Sequence, residues 1–304
     1  MSMKTYSILI FSLVVPCTLL AQKPILPDFH ADPSAHVWDG KCWLYPSTDE
    51  PGSTDWVQMH RWECFSSTNL TDWINEGEIL SLNDISWADQ AAWAPDAVKW
   101  KGKYYFFFPA DFQIGVAVSD SPAGPFKDAL GKPLITHDEA GIKSMDPCIF
   151  IDDDQTPYLY YGGWNTVGVV KLKDDLTTRD GDIMPLPLKN YHEGIWVHKR
   201  GDTYYLSYPR MIKRDGRDVQ LLCYCTAPSP LGPFTYQGDF FDNDSRNSHH
   251  SIIEFNGQWV LFYHVQGPSP YERRVCVEHL YYNEDGTIQR VKMTTTGIEA
   301  PRPE

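Results

Sequence analysis

What the sequence lacks narrows its possibilities first. It is short of positive charge: 26 Lys and Arg stand against 40 Asp and Glu, a formal net charge of −14. That balance disfavours nucleic acid, polyanionic sugars and anionic membranes as partners and leaves neutral molecules as the better fit. There is no run of ten or more residues with helical periodicity, which argues against helical and alternating α/β classes. No zinc-protease or zinc-finger spacing occurs, and no G-x-S-x-G turn that would present a nucleophilic serine. Long apolar runs are missing too, save one at the start. Residues 4–21, "KTYSILIFSLVVPCTLLA", begin with Lys4 and run through an apolar stretch to Ala21. At about 16 residues that stretch is shorter than the ~20 a spanning helix needs. Residues 1–21 are therefore expected to be a removable signal peptide, with the mature chain exported to the periplasm or beyond and carrying no membrane span. Cys17 lies inside that leader, where Val15 and Pro16 make a poor lipoprotein context. Four of the six remaining cysteines (Cys42, Cys148, Cys223 and Cys276) sit in apolar, strand-like runs, so mostly free buried thiols are expected rather than disulfides.

What is present is a recurring pair of short strands. With 42% hydrophobic and 14% aromatic residues the chain has ample material for a core. Five segments align: "ADPSAHVWDGKCWLYPS" (31–47), "WAPDAVKWKGKYYFFFP" (93–109), "MDPCIFIDDDQTPYLYYG" (145–162), "HEGIWVHKRGDTYYLSYP" (192–209) and "SHHSIIEFNGQWVLFYH" (248–264). Each reads as strand, tight turn and aromatic strand. Their turn markers, Gly40, Gly102, Gln155, Gly201 and Gly257, are 62, 53, 46 and 56 residues apart. Further pieces, "FSSTNLTDW" (65–73), "VSDSPAGPF" (118–126) and "CTAPSPLGPF" (225–234), read as the outer half of a unit and its exit turn. Multi-strand repeats of about this period are the signature of a β-propeller, so residues 22–304 are expected to form a single all-β, five-bladed β-propeller. A β-sandwich with coincidental hairpins is the competing arrangement, and the shared register speaks against it.

Counting eight residues back from each marker, or nine in the third segment with its longer turn, gives Asp32, Ala94, Asp146, Glu193 and His249. Equivalent positions on the innermost strands of a propeller converge on its axis. The cluster Asp152, Asp153 and Asp154 beside Asp146 reads instead as turn chemistry. Three carboxylates and a histidine around one channel would repel each other unless they bind something or share protons. Separated carboxylates acting on a neutral substrate suit glycoside hydrolysis. Trp93, Trp164, Trp196 and Tyr191 lie near these segments as candidate aromatic platforms for a sugar. The insert 48–62, with Trp56 and Trp62, is expected to wall an exo-type pocket.

The motifs "ADPS", "WAPD", "MDPCIFIDDD", "HEGIW", "HHSIIEFNGQW" and "RRVCVEHLYYNEDGTI" (273–288), in this order over nearly all of the mature chain, resemble glycoside hydrolase family 43. The resemblance implies inverting hydrolysis with no required cofactor: Asp32 as general base, Glu193 as general acid, and Asp146 as the carboxylate that raises the acid's pKa and orients it. It further implies that His249 faces a calcium ion or water cluster in the channel, and that Arg273, or its neighbour Arg274, lies beside the base. The implied activity is α-L-arabinofuranosidase on arabinoxylan or arabinan of plant cell walls, with β-xylosidase as the alternative. A non-catalytic sugar-binding propeller would be expected to have lost one of Asp32, Asp146 or Glu193, and a purely structural calcium-stabilised propeller would need more oxygen donors than this register offers. No appended carbohydrate-binding module is expected beyond "EAPRPE".

Overall fold

The computed structural model describes residues 22–267 and 269–299. The expected leader, with Cys17, lies outside the described residues. Five antiparallel sheets follow one another along the chain. Blade one comprises β1 (His30–Trp38), β2 (Lys41–Thr48), β3 (Arg61–Ser67) and β4 (Ile74–Ser81). Blade two comprises β5 (Asp96–Trp100), β6 (Lys103–Ala110), β7 (Gln113–Ser119) and β8 (Lys127–Asp128). Blade three comprises β9 (Cys148–Ile151), β10 (Pro157–Gly163), β11 (Thr166–Lys171) and β12 (Met184–Pro185). Blade four comprises β13 (Trp196–Arg200), β14 (Thr203–Arg214), β15 (Arg217–Ala227) and β16 (Thr235–Asp242), and blade five β17 (His250–Phe255), β18 (Gln258–Gln266) and β19 (Arg273–His279). Each blade pairs its strands in sequence order, so the architecture is a five-bladed β-propeller. Among the described residues the helical segments are three short 3₁₀ turns, and no helix is long and apolar enough to cross a membrane.

The hairpin turns behave as their residues dictate. Asp39–Gly40, Lys101–Gly102 and Asn256–Gly257 all have positive φ at both positions, the I′ geometry that suits twisted hairpins and favours glycine second. The Asp152–Thr156 connection is closed by its own aspartates: Asp152 and Asp154 accept the N–H groups of Asp153 and Thr156. Asp152 also accepts the Tyr204 hydroxyl of the next blade. The core lies between blades, and β6 shows how. In "YYFFFP", Tyr104, Phe106 and Phe108 pack toward blade one while Phe107 packs toward blade three, so the two-residue period of one strand serves two interfaces. Each buried Phe contributes about 1.5–3 kcal/mol relative to exposure. The ring closes where the Ala35 N–H of β1 donates to Ser251 Oγ of β17, and where the Ile25 N–H donates to the Val275 carbonyl of β19. All six described cysteines are buried and free, as expected.

Candidate active site

All five register positions, Asp32, Ala94, Asp146, Glu193 and His249, line one cleft of about 680 Å³ at one end of the axis. The register itself needs one correction. In blades one, two and five the hairpin pairs Trp38↔Lys41, Trp100↔Lys103 and Phe255↔Gln258 leave glycine second in the turn, whereas Arg200↔Thr203 leaves Gly201 first. The residue in step with Asp32 is therefore Gly194, and Glu193 stands one residue ahead. Gly194 has φ +64°, and a Cβ there would come within 3.2 Å of His249 and Pro209. Asp32 and Asp146 share the same left-handed geometry, φ 50° at both, each before a proline. Asp is among the few side chains that tolerate that region, at a cost of about 1–2 kcal/mol. The β1 register shifts between Ala31 and Ser34, a bulge that turns Asp32 toward the axis.

Asp32 is held by several groups. Arg273 Nη1 donates to its Oδ1 at 2.9 Å and Oδ2 at 3.1 Å, Ser47 Oγ donates to Oδ2 at 2.5 Å, and His249 Nδ1 lies 3.8 Å from Oδ1. Burial alone would raise its pKa, but Arg273, then His264, His249 and Ser47, outweigh burial and hold it at about 2. The ambiguity between two arginines is resolved. Arg273 is buried and its Nε and Nη2 also grip Asp49 at 3.0 and 2.7 Å, while the Arg274 guanidinium lies 4.9 Å over the Phe29 ring. His264 accepts the Asp32 N–H on Nδ1, so its Nε2 donates to the Asn247 carbonyl; burial depresses its pKa to about 3 and it is neutral.

Asp146 is the opposite case. Burial first, then the Glu193 and Asp32 charges, push its carboxyl well above the ordinary carboxylate range. Its Oδ2 accepts the Gly194 N–H at 2.9 Å, which ties Asp146 to the peptide that carries Glu193. Glu193 Oε1 accepts from Gln220 Nε2 at 2.7 Å and Asn247 Nδ2 at 2.9 Å. One cleft thus holds a carboxyl kept low by an arginine, Asp32, and, apart from it, a second, Asp146, that burial and like charges push up. Carboxyl groups whose environments push them apart in this way are suited to acid–base chemistry.

Residues 21–288 match the model of Glycosyl hydrolases family 43. The chain belongs to glycosyl hydrolase family 43. It is similar to the β-D-galactofuranosidase xynD of Aspergillus niger, 32% identical with 92% of this chain and 87% of the relative covered. It is similar also to the xylosidase/arabinosidase 43A of Humicola insolens, 33% identical, covering 87% of this chain and 98% of the relative. A solved β-xylosidase/α-arabinofuranosidase from a compost microbial metagenome, in complex with xylotriose, has 32% identity and a TM-score of 0.79 over 89% of this chain and 97% of its own.

The other expected site residues divide. Trp93 and the half-exposed Trp164 line the cleft, and their rings flank Phe112 at 4.9 and 5.7 Å. Tyr191 does not: it is 2% exposed, bridges to Arg210 and packs on Tyr208, 5.5 Å between ring centres, so its ring is core beneath the carboxyls rather than a platform. Trp196 is core as well. Within the insert, Trp56 reaches the cleft and packs on Tyr271 at 4.8 Å, while Trp62 is buried with its indole N–H on the Trp93 carbonyl. His249 lines the cleft, but among the described residues no group of three or more His, Cys, Asp or Glu could hold a metal. Calcium takes six to eight oxygens, and one imidazole nitrogen beside an Asp32 already claimed by Arg273 does not fit a protein-made calcium cage. Gln220, Asn247 and Asp49 were not legible as site residues. Asp49 alone had a signal: a buried arginine in an acidic chain needs carboxylates, and Asp49 comes directly after β2 in "STDE".

Proposed function

We propose that this family 43 glycosidase is an exo-acting, inverting enzyme that releases terminal α-L-arabinofuranosyl residues from arabinoxylan or arabinan-type chains. The observation that carries the reading is one cleft in which Arg273 grips Asp32 while Glu193 stands apart from it, its peptide tied to Asp146 through the Gly194 N–H. Water beside Asp32 attacks the anomeric carbon and gives its proton to that carboxylate. The C1–O bond breaks, its electrons pass to the leaving oxygen, and Glu193 supplies the proton that oxygen needs. A single displacement of this kind inverts the centre and works with base and acid roughly 6.5–9.5 Å apart. Asp146, through the Gly194 N–H, fixes the peptide that carries the acid, and because the two carboxyls repel when both are charged the pair favours keeping one proton. Trp164 and Trp93 at the rim support stacking of sugar rings in the leaving-group portion.

A β-xylosidase is the second reading. Relatives named xylosidase/arabinosidase and a structural relative holding xylotriose favour it. Initial rates on 4-nitrophenyl α-L-arabinofuranoside and β-D-xylopyranoside, with wild type and Glu193→Ala, decide between them. Faster arabinoside cleavage that is lost in the variant supports the first reading, and faster xyloside cleavage, equally lost, supports the second. Activity on both that survives Glu193→Ala rejects the site assignment. The reading places the enzyme outside the cytoplasm after loss of residues 1–21, which the amino-terminal sequence of the exported protein tests.

A further inference from the structure

We propose that Gln220 and Asn247 are positioning residues that decide which oxygen of Glu193 carries the proton: they occupy Oε1, so the proton is delivered from Oε2. The inference rests on Glu193 being the general acid, as read above.

Neither amide can be turned around. The Gln220 side-chain carbonyl accepts the Ser248 backbone N–H at 2.7 Å, and that N–H can only donate. Its NH₂ is therefore the end that meets Glu193 Oε1 at 2.7 Å. Asn247 is constrained in the same way from the other side. Arg273 Nη1, which also can only donate, meets Asn247 Oδ1 at 2.8 Å, leaving the Asn247 NH₂ for Glu193 Oε1 at 2.9 Å. Flipping either side chain would set a carbonyl against the carboxyl and strand a buried or charged donor. With two N–H donors converging on it, Oε1 can only accept, because a hydroxyl there would face two donors. Oε2 has no hydrogen bond among the described residues, its nearest cationic candidate being His192 Nε2 at 4.0 Å. Glu193 lines the cleft, so Oε2 is the oxygen left for a substrate.

The arrangement also joins the two halves of the reaction. The same Arg273 nitrogen that holds Asp32 ionised, at 2.9 and 3.1 Å from its oxygens, binds the Asn247 carbonyl. Asn247 is held a second time through its backbone, whose carbonyl accepts from His264, the ring that also accepts the Asp32 N–H. Base and acid are thus positioned through one amide and one arginine.

The test separates substrates that need an acid from those that do not. A sugar leaving group needs a proton, whereas 2,4-dinitrophenolate departs without one. In Gln220→Met and Asn247→Ala, kcat on arabino- or xylo-oligosaccharides is expected to fall by about 30-fold or more, a large part of what a general acid contributes, and kcat on the matching 2,4-dinitrophenyl glycoside by about threefold or less. A purely structural role would lower both by one factor. Should Gln220→Met fail to fold, as a thermal melt would reveal, the half-buried Asn247→Ala carries the same split. Equal losses on the two substrate types, with Glu193→Ala still showing the split, overturn the clamp alone. Glu193→Ala that retains oligosaccharide activity overturns the acid assignment and the clamp together.

Discussion

Replacing Arg273 by Met tests the electrostatic argument at its strongest point. In the native cleft Asp32 sits at about 2 although burial is the largest influence on it, because Arg273 and its neighbours more than compensate. Without the guanidinium, burial is opposed only by two histidines and the Ser47 hydroxyl, and the histidines are themselves pushed toward neutrality by burial. The Asp32 pKa must then rise, and each unit of rise corresponds to about 1.4 kcal/mol. Once it passes the assay pH, the ionised fraction of the base falls tenfold per unit. The acid limb of kcat/KM, which in the wild type lies too low for Asp32 to be seen, moves up into the accessible range, and the rate at pH 5 falls by about 100-fold or more. Stability suffers too. Asp32 and Asp49 lose their shared partner, and breaking one side of a buried ion pair costs about 3–5 kcal/mol. Adding Asp49→Asn removes one stranded charge and is expected to return part of the melting temperature without returning the acid limb. An Arg273→Met enzyme that folds, loses rate, and keeps the wild-type acid limb would refute the assignment of Asp32 as the base held ionised by Arg273.

Three further outcomes follow from the same geometry. Asp146 has its folded pKa raised, so it favours the folded state below its unfolded pKa and loses that contribution as pH rises through the folded value. Asp146→Asn, which can still accept the Gly194 N–H, is therefore expected to raise the melting temperature at pH 7 by a few degrees while lowering kcat by about 100-fold or more, measured by calorimetry and initial rates. Asp32 has the reverse sign: about 2 in the fold against an ordinary 3.8, it contributes on the order of 2 kcal/mol that is present above pH 3.8 and lost as pH falls through about 2. The acid unfolding of Asp32→Asn, followed by circular dichroism, should accordingly be shallower over that window. Trp164→Ala is expected to raise KM for oligosaccharides by about 3–10-fold, the worth of one stacking contact, with a melting temperature within about 1 °C of wild type.

The architecture was legible because its determinants are local. Two-residue alternation as in "YYFFFP" is written into five short stretches whose copies count the blades, and in four of them a glycine at φ above zero marks the turn. Asp32 and Asp146 were legible for a related reason: each is an out-of-place carboxylate before a proline at a repeating position. Glu193 was reached by a count that the structure shows to be one residue out of step, because the glycine of its hairpin occupies the first turn position instead of the second. Gln220 and Asn247 left no such trace. One sits on the long β15, the other in the segment between β16 and β17, and only folding brings them to the same carboxylate oxygen. Tyr191 failed in the other direction, since an aromatic beside a site residue reads alike whether its ring faces a sugar or Tyr208.

The three carboxylates are chemically alike and gathered at one end of one axis, so their roles cannot come from the repeat. They come from what each blade's neighbours bring. Asp32 receives a cation from β19, whose second carboxylate, Asp49, stays on the far side of the guanidinium. Glu193 receives two neutral amides on one oxygen. Asp146 receives a single backbone N–H and two negative neighbours. A cation makes a carboxylate that stays ionised and can take a proton from water. Amides fix a carboxyl in place without neutralising it, and an under-compensated neighbour favours keeping a proton in the pair. The repeat brings like groups together at a cost, and unlike partners turn that cost into a difference between the carboxyls.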